Sequence, residues 1–197
     1  KTQRTRHGKR KIHGEPDHLP EPQKFADAIT ADHAILASDE YSRHGDTVSM
    51  IVMDRKTGWV QAFPAPTKST PEVLMGLQRF LGPGIKPGHV YTDGSGEFLK
   101  ACEELQFLHD SSTPYRPQTN GVAERAVRGV KEGTSCTLVQ SGFHSDWWAE
   151  AQLCFCFLKN ISVILKEGDT AYIARFGRTF DGPVIPFGAE IQYKPSD

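Results

Sequence analysis

An α/β sandwich, one sheet flanked by helices, is the fold this sequence predicts, and three observations predict it. Short apolar runs of strand length are interleaved with longer segments of helical period, the mixed order expected of such a sandwich. One of those helical segments carries Val122, Ala126 and Val130 on one side and Glu124, Arg128 and Lys131 on the other, so one side docks and the other faces outward. At 197 residues and 38% hydrophobic, the chain can bury a real core, and no apolar run approaches the roughly 18 residues needed to span a membrane.

The elements follow in order. Residues from about 28 to 37 read as a strand of small and apolar residues with Asp32 near its middle. A polar loop through Gly45 leads to a hairpin of two strands around the turn Arg55-Lys56-Thr57-Gly58. Thr70-Pro71 supplies an N-cap with proline at the first helical position, opening a helix to about Leu81 that Gly82-Pro83-Gly84 stops. A strand to Asp93, a helix to about Leu105, a short strand near Phe107 and the helix carrying Glu124 come next. Before that helix, Pro114 and Pro117 hold Thr113 and Arg116 extended, and Asn120-Gly121 marks a turn after which the helical pattern begins. Gly129 and Gly133 each cost the helix roughly 1 kcal/mol against alanine, so another element is expected to pack closely there. An aromatic-rich helix runs from Asp146 to about Asn160, in which Trp147, Trp148, Phe155 and Phe157 read as core or subunit interface rather than as a base-stacking platform.

Three acids stand out. Asp32 sits in a strand, where an ionised side chain is expensive unless neutralised; the alternative is an edge strand that points it at water. Asp93 ends the run Val90-Tyr91-Thr92 and is followed by Gly94 and Gly96, which let a ligand approach the backbone. Glu124 shares a helix stripe with Arg128 and Lys131, although a glutamate in a first helical turn followed by an arginine four residues on is also ordinary helix stabilisation. Convergence of the three would raise their pKa values and predict bound divalent cations. Oxygen ligands without histidine or thiolate favour magnesium or manganese over zinc.

Asp32, Asp93 and Glu124, with Thr113-Pro-Tyr-Arg-Pro-Gln-Thr-Asn-Gly121 before the glutamate, resemble the catalytic core of a retroviral or retrotransposon integrase. The run from Ile51 to Phe63 is similar to the hairpin after that family's first catalytic strand, and the resemblance covers about residues 25 to 165. Phe176-Gly-Arg-Thr-Phe180 and the run from Pro186 to Tyr193 are similar to the region following the core in copia-type retrotransposons, which favours a transposable element. Two departures stand. Thirty residues separate Asp93 from Glu124, fewer than the family usually has, and Gly94 replaces a frequent asparagine.

The resemblance implies a ribonuclease H-like fold, a mixed five-stranded sheet flanked by helices. It implies an integrase that trims 3′ ends and transfers them into target DNA, with Asp32, Asp93 and Glu124 as catalytic residues and ligands of two Mg²⁺ or Mn²⁺ ions. Strand context and the family match select Asp32 over Asp27. Tyr115, Asn120, Arg128 and Lys131 match positions that contact the DNA end, and Arg116 and Arg125 complete the basic patch around Glu124. Expected partners are element-end and target DNA and further copies of the chain, a dimer or higher, with no membrane; the setting is intracellular, in a host nucleus. A ribonuclease or transposase of the same fold, and a domesticated scaffold that binds DNA or dimerises without turnover, are the alternatives.

Charge limits the DNA argument. Six of the 23 Lys and Arg side chains lie in residues 1 to 14, leaving 17 against 24 acids in the rest. The body is acidic, so DNA affinity must be local. Four phosphate contacts would give a salt slope of about −3.6 on B-DNA, and neighbouring modules or subunits must supply the rest. Residues 1 to 24 read as a basic, disordered linker, 25 to 165 as the core and 166 to 197 as a post-core segment. Cys102, Cys136, Cys154 and Cys156 lack the paired spacing of a zinc site and read as buried free thiols of a reducing compartment. His7, His13 and His18, without cysteines nearby, read as tail residues, so the family's N-terminal zinc module is expected to be missing and the chain to be an excised fragment.

Overall fold

Seven residues from Val48 to Asp54 form a strand, β2, buried at every position but Met53, as expected where both sheet faces are covered. In the computed structural model, which describes residues 21–35, 41–111 and 117–192, β2 pairs antiparallel with β1 (Ile29–Ala34) and with β3 (Val60–Ala65). Two short strands, β4 (Val90–Thr92) and β5 (His109–Ser111), add in parallel to give a mixed five-stranded sheet in the order β3-β2-β1-β4-β5. Helices α1 (Thr70–Leu81) and α2 (Gly96–Glu104) cover one face. There Val73, Leu77 and Phe80 of α1 and Phe98 and Ala101 of α2 pack on Ile29, Ala31 and Val52. Helices α3 (Pro117–Ser141) and α4 (Trp148–Ser162) cover the other, with Val130 and Cys156 against Ala34, Ile51, Val60 and Ala62. No helix among the described residues is long and apolar enough to cross a membrane.

Several expectations shift by a few residues. Ser69, not Thr70, holds the N-cap position of α1, and Gly82 ends it with a φ of 83° that favours glycine. The strand expected near Phe107 lies at His109–Ser111, because Gln106 turns the chain at a φ of 53°. The largest shift is in α3, which starts at Pro117 and carries Asn120-Gly121 inside the helix rather than in a turn before it. Proline at a first helical position sacrifices no hydrogen bond, and docking of Ala123, Ala126 and Val130 outweighs the local turn signal. Glu124 is therefore two turns into the helix, where the macrodipole no longer rewards an acid.

Close packing at α3 is met at one of the two glycines. A β-carbon at Gly133 would fall 2.0 Å from the Phe155 ring of α4, whereas at Gly129 the nearest atom is the Lys159 amine at 3.8 Å. Trp148 is buried, Trp147 packs against Phe143 and Phe187, and Phe157 meets Phe180 edge-on. All four cysteines are free; Cys102 and Cys156 are buried, Cys154 is half-buried, and Cys136, contrary to expectation, is exposed. Burial pushes the Cys102 and Cys156 thiols up to about 11 and about 12, so both are protonated at neutral pH.

A fifth helix, α5 (Ala171–Phe176), returns to the α1 side. Its Arg175 guanidinium lies 3.9 Å from the Phe25 ring centroid and 4.7 Å from that of Trp59, and donates to the Phe80 carbonyl at 3.0 Å. Burial lowers the Arg175 pKa to about 10, a shift opposed by the negative charge of Asp54. Residues 1–20 and 193–197 lie outside the described residues, and with them almost all of the expected basic linker and Tyr193.

On the open edge of the sheet, Asn160 of α4 acts as a substitute strand. Its amide donates to the Val60 carbonyl at 2.7 Å and accepts from the Val60 N–H at 3.0 Å. Asn160→Leu strips both partners from a buried peptide unit and is expected to cost about 2–4 kcal/mol, read as a fall in the urea midpoint at unchanged slope.

Candidate active site

The middle strand presents Asp32. Cross-strand pairing with Ile51 puts its side chain on the sheet face covered by α3, one residue pair from Ala34, which packs with Val130. This excludes the edge-strand alternative: β1 is flanked by β2 and β4. Asp32 is half-buried, and its Oδ1 accepts the His33 N–H at 2.7 Å.

Parallel pairing of β1 with β4 sets Thr30 beside Tyr91, so Asp32 and Asp93 each lie two residues beyond the last pair, and the charge of Asp93 is felt at Asp32. Asp93 is exposed on the turn between β4 and α2. That turn is tied by short bonds, Gly94 N–H to Thr92 Oγ1 at 3.1 Å and Ser95 N–H to Asp93 Oδ1 at 3.1 Å, with Gly94 at a φ of 78°. Glu124 reaches the same region from α3, exposed on the side opposite Ala123, Ala126 and Val130.

Electrostatics tie the three together. Desolvation raises the Asp32 pKa most, and the negative charges of Asp93 and Glu124 raise it further, while the His33 N–H and the Lys68 ammonium pull it down. Asp93 and Glu124 are thus each within electrostatic reach of Asp32. Among the described residues, no group of three or more His, Cys, Asp or Glu side chains converges tightly enough to hold a metal ion. The donor chemistry nonetheless suits a hard divalent cation, since the groups facing one another are carboxylates. His33 points to the opposite sheet face, its ring 4.7 Å from Phe98 and its Nδ1 3.5 Å from Glu97, and burial lowers its pKa.

The basic patch is described in part. Arg125 and Arg128 are exposed on α3, while Lys131 is half-buried with its ammonium donating to the Ile35 carbonyl at 2.8 Å. Tyr115 and Arg116 lie outside the described residues, and only the backbone of Asn120 is described, as part of α3. Asp27 is no rival to Asp32. Its carboxylate accepts the Gln23 and Lys24 N–H groups, which lower its pKa, before β1 begins. Sequence reasoning passed over Lys68, in the β3 to α1 connection, and His109, on β5; neither falls in an apolar period or an acidic motif, so pattern alone offered no signal.

No protein-family model matches the chain. The Gag-Pol polyprotein of avian reticuloendotheliosis virus is 28% identical over 104 residues, 50% of this chain and 9% of that polyprotein. The retrovirus-related Pol polyprotein from transposon TNT 1-94 of Nicotiana tabacum is 36% identical over 75 residues, 38% of this chain and 6% of the polyprotein. The chain thus matches only a small part of these curated relatives. Among solved structures, the HTLV-2 integrase catalytic core domain in complex with magnesium, in a trimeric form, superposes with a TM-score of 0.59 at 16% identity, covering 79% of this chain and 99% of that one. The simian T-cell lymphotropic virus intasome, in complex with the PP2A regulatory subunit B56 gamma, gives 0.63 at 19% identity, covering 90% of this chain and 63% of that one. Retroviral and transposon polyproteins match alike, so the copia-type affinity expected from the chain's final residues is not singled out. The chain is a relative of retroviral and transposon Pol polyproteins and carries the ribonuclease H-like fold of an integrase catalytic core.

Proposed function

We propose that this chain catalyses phosphoryl transfer on DNA as an integrase core, trimming the 3′ end of an element and joining it to target DNA. The observation that carries this reading is the opposition of Asp32 to Asp93 and Glu124 on the sheet face beneath α3. Both reactions are displacements at phosphorus. In the first, water forms the new O–P bond and the 3′-oxygen of the element strand leaves. In the second, that freed 3′-hydroxyl forms the bond and a 3′-oxygen of the target strand leaves. The attacking oxygen gives up a proton and the leaving oxygen takes one.

Asp32, Asp93 and Glu124 would hold divalent magnesium or manganese, a reading supported by the magnesium in the HTLV-2 core. Two such ions, when bound, would supply Lewis acidity to the attacking and leaving oxygens. The chain's own residues do the rest. Asp32 would be the carboxylate held by the central strand, and the Asp93 turn and α3 would carry the other two towards it from separate elements, a reading supported by the influence of both charges on Asp32. Arg125 and Arg128, on the helix that carries Glu124, supply positive charge for the phosphates flanking the reacting one. Oligomeric assembly on element-end and target DNA in a host nucleus, consistent with the trimeric and intasome forms of the structural neighbours, would add the cationic surface that this acidic chain lacks.

Labelled element-end duplex incubated with the chain and Mg²⁺ or Mn²⁺ tests the reading. Joined products support it, whereas RNA cleavage in their place, or DNA binding without chemistry, would overturn it. Arg128→Gln is expected to flatten the salt dependence of DNA binding by about 0.9 in log–log slope, equally for cognate and unrelated sequences. An unchanged slope removes Arg128 from the phosphate contacts.

A further inference from the structure

We propose that His109 is a positioning residue, acting through Thr92 to hold the turn that presents Asp93. The inference rests on the reading of Asp93 as part of the active site. Parallel pairing of β4 with β5 sets His109 across from Val90, and the ring leans along the strand until its Nε2 lies 2.8 Å from Thr92 Oγ1. Thr92 is 1% exposed, so its hydroxyl has no access to water as a substitute partner. The hydroxyl oxygen accepts the Gly94 N–H at 3.1 Å and shares a second hydrogen bond with the ring nitrogen, in the sense that the His109 tautomer sets.

A relay results, running from the β5 ring through the Thr92 hydroxyl to the peptide that follows Asp93. Each link constrains the next. The ring orients the hydroxyl, the hydroxyl oxygen anchors the Gly94 N–H, and Gly94, at a φ of 78°, aims the chain so that the Ser95 N–H reaches Asp93 Oδ1 at 3.1 Å. Asp93 itself is exposed, with no packing to fix it, so these bonds are what limits its freedom. Without the ring, the buried hydroxyl is no longer oriented and the Gly94 N–H loses a fixed partner. Thr92 is the hydrogen-bonded link from His109 to the turn, beside a longer-range electrostatic interaction of the ring with Asp93.

The experiment compares the intact chain with His109→Ala, His109→Gln, Thr92→Val and the Thr92→Val/His109→Ala double variant. The readouts are hydrogen exchange at the Gly94 amide and Mn²⁺ affinity from water-proton relaxation. Both single losses are expected to accelerate Gly94 exchange and to weaken Mn²⁺ binding about tenfold, the range for partners that orient ligand-bearing groups. The double variant should be no worse than either single one, and glutamine, whose amide reaches the place of Nε2, should restore both readouts. Thr92→Val preserves volume, so it reports even if His109→Ala folds poorly. Unchanged Gly94 exchange in Thr92→Val, exchange in His109→Gln as fast as in His109→Ala, or additive losses overturn the relay. Mn²⁺ binding that Asp32→Asn leaves untouched would instead sink the functional reading, while Gly94 exchange still decides the relay.

Discussion

Replacing Asp32 with asparagine is expected to lower DNA end joining by about 10³-fold or more while leaving the fold intact. Asparagine keeps the acceptor that His33 N–H uses at 2.7 Å, so the strand loses no hydrogen bond. What it loses is a full negative charge at the place where the other two acids face it. The same variant should melt at a higher temperature than the native chain at neutral pH without divalent cations. Desolvation first, then Asp93 and Glu124, raise the Asp32 pKa above its ordinary value. A carboxylate whose folded pKa is raised weakens the fold only when ionised. The cost is absent below the ordinary carboxylate value, grows between that value and the raised one, where only the unfolded chain has released its proton, and is complete above the raised value. Asparagine removes that cost at neutral pH and changes nothing in acid. Melting curves at both ends, alongside joining assays, check the pair of expectations. Undiminished joining, or coincident melting at neutral pH, would show that the site is not built on opposed acids.

A stability loss of about 3 kcal/mol or more is expected for Asp54→Ala. Asp54 ends β2 with no solvent exposure, and three donors converge on its carboxylate: Ala26 N–H at 2.8 Å, Thr57 N–H at 2.7 Å and Thr57 Oγ1 at 2.7 Å. It therefore joins the approach to β1 with the β2–β3 turn, and its charge faces Arg175 of α5. Alanine leaves two buried N–H groups and a half-buried guanidinium without their acceptor. Chemical denaturation gives the measure; a loss under about 1 kcal/mol would mean that water replaces the carboxylate.

Both aspartates lie in strands, yet only one was legible beforehand. Asp32 could be singled out because an acid inside an apolar run is costly and two other acidic motifs accompanied it. Asp54 was not singled out, since the burial of its carboxylate depends on Ala26 arriving from 28 residues away, which no local pattern encodes. The same contrast runs through the rest. Strand and helix order was readable from period and punctuation, and the Gly82 stop was readable from its chemistry. The start of α3 was misread because the Asn-Gly signal is local, whereas docking of Ala123 and Val130 on the sheet is not. His109 was invisible for a related reason: its partner Thr92 is 17 residues away and adjacent only once β4 and β5 pair.

The outer side of β3 has one more consequence. Val60, Ala62 and Pro64 are its outward-turned peptides. Asn160 occupies the first, the Cys156 sulfur takes the backbone of the second, and the third has no N–H to offer. α4 thus covers this edge from within and leaves an incoming ribbon fewer backbone groups to pair with along β3. On this side of the sheet a neighbouring molecule would have to meet the chain through side chains rather than by adding a sixth strand.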